Sequence, residues 1–128
     1  MRIAEVSERF EISLDTLRYY ERIGLIPSVN RSRSGIRDYT EEDLRWVEFI
    51  KCMRGAGLPV EILIEYVTLF QQGDKTKQAR KDLLIEQRKL LNSRIEEMKK
   101  TLERLDYKIE TYYQSISEKE KGLKRLAN

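Results

Sequence analysis

The sequence predicts a mainly α-helical chain: a small head of short helices followed by one long helix. Three observations predict it. Apolar residues recur at helical spacing in short stretches up to about residue 70, separated by turns rich in Gly, Pro and Ser. From Lys75 onward there is no proline and no glycine before Gly122, and the apolar residues settle into a regular repeat. The 128 residues are 37% charged with a mean hydropathy of −0.64, too polar for one thick globule and suited to much exposed helix.

Ile3, Ala4, Val6 and Phe10 place a short amphipathic helix over residues 2–10. Glu11-Ile12 makes a brief turn. Ser13 is a helix N-cap, and Leu14, Leu17, Glu21 and Ile23 form one narrow edge of the helix that follows. Gly24 ends that helix, and Leu25-Ile26-Pro27 cannot extend it. Its other edge carries Thr16, Arg18, Tyr19, Tyr20 and Arg22. Arginine and tyrosine both bind phosphate oxygens, and arginine also pairs with a guanine edge. Helix, tight turn and helix is the helix-turn-helix pattern, whose second member enters a major groove.

Residues 28–39 change character. Ser34-Gly35 is a turn between Val29-Asn30-Arg31-Ser32-Arg33 and Ile36-Arg37-Asp38-Tyr39, which predicts a short two-stranded hairpin. Arg31, Arg33 and Arg37 face only Asp38 as an opposing charge. A basic hairpin after a helix-turn-helix is a wing, its arginines reaching phosphates beside the groove. The fold class is thus mainly α, with a winged helix-turn-helix head. Its expected DNA contacts are Ser13, Thr16, Arg18, Tyr19, Tyr20 and Arg22 on the helix, with Arg31, Arg33, Arg37 and Tyr39 on the wing.

Thr40 caps the next helix, and Glu41-Glu42-Asp43 suit the dipole at its start. It runs to about Arg54. Trp46, Phe49, Ile50 and Met53 form its main apolar arc, with Leu44 and Val47 flanking. Gly55-Ala56-Gly57-Leu58-Pro59 breaks it, and Pro59 sits in the first turn of another helix. Ile62, Leu63, Tyr66, Val67, Leu69 and Phe70 make that helix strongly apolar, and it ends by Gly73-Asp74. Beyond it Leu84, Leu91, Ile95, Met98, Leu102, Leu105, Ile109, Tyr112, Ile116 and Leu123 recur, with steps of four and three alternating from Leu91 to Ile116. This is a heptad seam, which a lone helix cannot bury. A second copy is the economical partner, so residues 1–73 are expected to form the DNA-binding domain and residues 74–128 a coiled-coil dimerisation helix and tail. The spacing leaves parallel and antiparallel pairing open.

The net charge of +3 does not announce nucleic acid by itself. Residues 1–58 balance ten basic against ten acidic side chains, and the excess lies after Lys75. The DNA-binding reading rests on where charges sit. A single cysteine, Cys52, and the absence of histidine exclude an intramolecular disulfide and speak against a metal centre. No nucleophile–base pair and no Gly-rich phosphate loop is visible, so neither an enzyme nor a cofactor is expected. No apolar run reaches membrane-spanning length, and residues 1–7 are not a signal peptide. A cytoplasmic protein without a membrane partner is the expectation.

Cys52 lies at the edge of the apolar arc, between Glu48 and Ala56 at four-residue spacing. Lys51 and Arg45 favour a thiolate there, whereas Glu48 and the helix C-terminus oppose one. The residues alone favour a structural cysteine slightly over a reactive one.

Leu17-Arg18-Tyr19-Tyr20-Glu21-Arg22-Ile23-Gly24-Leu25-Ile26, followed by Arg37-Asp38-Tyr39, resembles the MerR family of bacterial transcription regulators. The resemblance covers the whole chain. It implies a homodimer with an antiparallel coiled coil, bound to a pseudo-palindromic site in double-stranded promoter DNA. It further implies that the dimer kinks and untwists the promoter so that RNA polymerase reads both promoter elements. Phe49-Ile50-Lys51-Cys52-Met53-Arg54, with a short C-terminal end, is similar to the thiol-dependent, aldehyde-responsive branch, AdhR/NmlR-like. That similarity implies activation with Cys52 as sensor of an aldehyde or other electrophile. The alternatives are a regulator of the same kind with a non-covalent small-molecule effector, and an architectural DNA-binding scaffold.

Overall fold

The computed structural model describes residues 1–112 and 114. It divides into two compact units, the first Met1–Gln87 and the second beginning at Arg88. In chain order the helices are α1 (Ile3–Phe10), α2 (Leu14–Arg22), α3 (Glu41–Gly55), α4 (Val60–Gln71) and α5 (Lys77–Glu110), with a 3₁₀ turn at Asp74–Thr76 before α5.

Local chemistry sets the boundaries. The Ser13 hydroxyl accepts the Thr16 N–H at 3.1 Å and starts α2. Gly24 at φ +83° lets the Leu25 N–H return to the Tyr20 carbonyl at 2.9 Å, which closes the end of α2. Thr40 and Asp43 form a reciprocal capping box at the start of α3: the Asp43 N–H donates to Thr40 Oγ1, and the Thr40 N–H donates to Asp43 Oδ2. Pro59 is the N-cap of α4, one position before the helix, rather than inside its first turn. The turn between α1 and α2 places Glu11 at φ 55°, with its N–H on the Ser7 carbonyl. The Ser7 hydroxyl holds the Ile12 carbonyl at 2.5 Å.

The core of the first unit gathers Val6, Ile12, Leu17, Leu25, Ile26, Val29, Tyr39, Trp46, Val47, Ile50, Leu58, Leu63 and Val67. Val47, expected to flank the arc of α3, is fully buried, while Phe49 and Met53 are half-buried. Between Trp46 and Val47 on one turn and Ile50 on the next, the buried face of α3 is rotated from the predicted arc, because α3 lies against several elements rather than one. Lys51 reaches from α3 to the Phe10 carbonyl at the end of α1. Trp46 packs edge-on to Phe49, Tyr66 and Phe70, joining α3 to α4.

The packed unit continues past the expected boundary at residue 73 into the first turns of α5. The Thr76 hydroxyl donates to the Leu69 carbonyl at 2.6 Å, Arg80 stacks on the Phe70 ring, and Gln87 is buried. In the second unit Ile95, Met98, Leu102, Leu105 and Ile109 of α5, and Tyr112 just beyond it, are all exposed, Met98 and Ile109 by 70% and 71%. Leu84, in the first unit, and Leu91, in the second, are half-buried. Ile116 and Leu123, the last seam residues expected, lie outside the described residues.

Candidate nucleic-acid interface

The surface expected to meet DNA is built from α2 and the segment that follows it. Leu17 anchors α2 in the core, and Arg18 and Tyr19 face outward on the next positions. Arg18 is held by Asp15 one turn earlier at 3.3 Å, an exposed pair that a phosphate or base edge can displace at little cost. Arg22 lies over the Tyr19 ring at 5.5 Å, so the two side chains present one cationic, aromatic patch. Ser13 and Thr16 bond each other through their hydroxyls at 2.7 Å while capping the helix. Tyr20 is half-buried and packs against the core.

The expected hairpin is smaller than the sequence predicts. Its pairing contracts to one antiparallel bridge, Arg31 with Arg37, around a turn at Gly35, φ +79°. Two flanking hydrogen bonds, Asp38 N–H to the Asn30 carbonyl and Ser32 N–H to the Ile36 carbonyl, are each 2.7 Å. Tyr39 ends the segment, and here the prediction is corrected. It is 2% exposed and belongs to the core, so its side chain is not presented to DNA. The backbone explains this: the Tyr39 N–H donates to the Met1 carbonyl at 2.7 Å, and the Met1 amino group donates to the Tyr39 carbonyl at 2.9 Å. Those bonds draw the residue under the wing. Burial, followed by the charge of Glu21, pushes the Tyr39 phenol above its ordinary value.

Glu21 was not among the expected site residues, yet it joins the two halves of this surface. Its Oε1 accepts from Arg37 Nε at 2.7 Å and lies 3.6 Å from the Arg31 guanidinium, and its Oε2 accepts the Val29 N–H at 2.9 Å. Burial acts to raise its carboxyl. The Arg37 and Val29 hydrogen bonds and the two arginine charges outweigh that and hold it below the usual carboxylate range. A signal was present in the sequence: Glu21 falls on the narrow, otherwise apolar edge of α2, where a charge needs a partner. Arg33 has no hydrogen bond or ion pair among the described residues and is exposed.

Cys52 is exposed and free on α3. Its sequence neighbour Lys51 is committed to the Phe10 carbonyl. An open cleft of about 300 Å³ on α3 and α4 is lined by Trp46, Phe49, Tyr66 and Phe70, with Glu42, Arg45 and Arg80 at its sides.

A recognition helix braced to a basic wing defines a DNA-binding regulator, and comparison with known proteins shows which kind. Residues 1–68 match the model of the MerR HTH family regulatory proteins, and residues 44–107 match the model described as MerR, DNA binding. The chain belongs to the MerR family of transcriptional regulators, and it is not an enzyme. Within that family its likeness is to the AdhR/NmlR-like branch. It is 60% identical to the HTH-type transcriptional regulator AdhR of Bacillus subtilis over 91 residues, 71% of this chain and 65% of AdhR. The match therefore spans just under two thirds of that relative's length. The solved structure of a MerR family regulator from Listeria monocytogenes superposes with a TM-score of 0.86 at 46% identity, covering 99% of this chain and 96% of that one. HiNmlR, a MerR family regulator lacking the sensor domain and bound to promoter DNA, gives a TM-score of 0.82 at 31% identity over 91% and 92% of the two chains.

Proposed function

We propose that this regulator works as a homodimer that grips a pseudo-palindromic promoter site, distorts it, and so activates transcription by RNA polymerase in response to an aldehyde or other electrophile. The observation that carries the DNA part is the Arg18–Tyr19–Arg22 face of α2, joined through Glu21 to a basic wing. HiNmlR bound to promoter DNA supports the same reading. Dimerisation is supported by the exposed apolar stripe on α5, which an antiparallel partner helix would cover. Distortion of the promoter is a form of indirect readout, in which the bend itself is the switch.

Cys52 is the proposed sensor. An aldehyde or other electrophile adding to its sulfur changes volume and polarity beside Phe49 and Met53, on the helix that ties α1 to α4 within the head. Exposure makes the sulfur reachable. The test is transcription in vitro by wild type and Cys52→Ser, under reducing conditions, with graded formaldehyde or methylglyoxal. Cys52→Ser keeps dimerisation and operator binding but loses the aldehyde response. A Cys52→Ser protein that responds as wild type does would move the sensor elsewhere. The aromatic cleft of α3 and α4 favours one second reading, a non-covalent effector with an apolar ring and an acidic group facing Arg45 or Arg80. An architectural scaffold is separated from both by footprinting, since it coats DNA whereas a regulator protects one short symmetric site.

A further inference from the structure

The wing brings Arg31 and Arg37 directly opposite each other on its bridge. Like charges across an antiparallel pair repel, so this pairing needs a compensating anion. Glu21 supplies it from α2. Its side chain is 11% exposed, whereas Asp15, Arg18 and Arg22 on the same helix are exposed. One carboxylate thus takes the Val29 N–H at the start of the wing, the Arg37 Nε on its return, and the nearer charge of Arg31. Desolvated, charge-assisted bonds of this kind are stronger than exposed ion pairs and fix geometry. The three wing arginines then differ. Arg37 is 24% exposed at 2.7 Å from the carboxylate, Arg31 is 45% exposed at 3.6 Å, and Arg33 is free of it.

From this geometry we infer that Glu21 is a positioning residue for DNA recognition: it fixes the wing against the recognition helix and withholds Arg37, and partly Arg31, from phosphates. The inference rests on the proposal that α2 and the wing bind DNA. Two effects follow for discrimination. A wing held in register lets both elements meet the same half-site together. Neutralising two arginines lowers the attraction to DNA of any sequence, which comes from phosphate neutralisation and counterion release. Glu21 therefore raises the ratio of specific to non-specific affinity from both sides. Arg33 remains the phosphate contact, and Arg37 is a strut.

The full-length protein is titrated, by fluorescence anisotropy over a range of salt, against two duplexes: the tightest binder selected by wild type from a random pool, and a scrambled duplex of the same composition. Glu21→Gln retains an acceptor for the Val29 N–H but loses the charge facing the arginines. It binds the selected duplex several-fold more weakly and the scrambled duplex as well or better. Its salt slope steepens by about one to two per half-site as Arg37 and Arg31 reach phosphates. Loss of fold alone would weaken both duplexes together, and a thermal melt detects it. Should that variant fail to fold, Arg37→Gln breaks the strut from the wing side: the specificity ratio falls and the salt slope holds. An unchanged ratio and slope in Glu21→Gln overturns the proposal, as does an Arg37→Gln variant that keeps the ratio and flattens the slope by about one. If wild type enriches no duplex from the pool, the DNA-binding reading itself fails, a result distinct from either.

Discussion

At the scale of single residues, the same side-chain type does different work according to its partner. Arg18, loosely held by Asp15, is the arginine of α2 proposed to read a base edge. Arg18→Ala is expected to cost roughly 1–3 kcal/mol of promoter affinity and to relax specificity at one position. Unchanged affinity at physiological salt would exclude Arg18 as a base reader. Arg33, without a partner in the head, is expected to touch phosphate only. Arg33→Ala should weaken all duplexes alike and flatten the salt slope by about one per half-site, measured by the same titration. Glu21 also links stability to pH. Its carboxyl is held below the ordinary value, so its bonds stabilise the fold fully above the unfolded-state pKa, near 4.3 for a glutamate. As pH falls below that value the unfolded chain takes up the proton first, and the contribution is lost by the time pH passes the folded-state pKa. The melting temperature of wild type should therefore exceed that of Glu21→Gln by most near pH 6, with the gap closing below about pH 4. A gap that widens on acidification would contradict the ion-paired state of Glu21.

At the scale of elements, α3 is the organising piece of the head. It starts on a capping box at Thr40, buries Trp46, Val47 and Ile50, and ties back to α1 through Lys51. Thr40→Ala removes the acceptor of the Asp43 N–H and leaves the other half of the box, the backbone N–H of residue 40 on the Asp43 carboxylate, in place. The expected loss is about 1 kcal/mol, read as a lowered melting temperature with unchanged helix content at room temperature. Asp43 is itself buried at 8% exposure, and its carboxylate keeps that backbone partner in the variant, so the loss should stay near the value of one capping bond. α4 is joined to α3 by ring contacts between Trp46 and both Tyr66 and Phe70, at 6.1 and 4.9 Å. Arg80 on the Phe70 ring extends this contact to the first turns of α5 within the same unit.

At the scale of the whole molecule, the second unit carries the consequence. Leu102 and Leu105 are 58% and 54% exposed, on a helix rich in charged residues. Fully burying an exposed leucine is worth about 1.5–3 kcal/mol, so covering these half-exposed ones with a second copy, as proposed, gains part of that for each. Replacing both Leu102 and Leu105 with glutamate is expected to give monomers in sedimentation velocity. Specific promoter binding falls steeply with them, because each half-site is then held alone. A double variant that sediments as a dimer would place the interface away from the seam.

Sequence alone determined the helices and, to within a few residues, their ends. Ser13, Thr40, Gly24 and Pro59 act through bonds or backbone angles within a few residues of themselves, and the apolar repeat of α5 is visible without any partner. It also determined the family, because the Leu17–Ile26 stretch is specific. Tertiary structure decided which polar residues turn inward. Glu21 meets Arg37 across sixteen positions of chain, and Tyr39 is drawn into the core by Met1 across thirty-eight. It reduced the predicted hairpin to one bridge, brought Val47 into the core, and carried the packed unit through the start of α5 to Gln87. The physical reason is range: caps and periodicity act over one turn of helix, whereas burial and ion pairing depend on neighbours that only folding brings together.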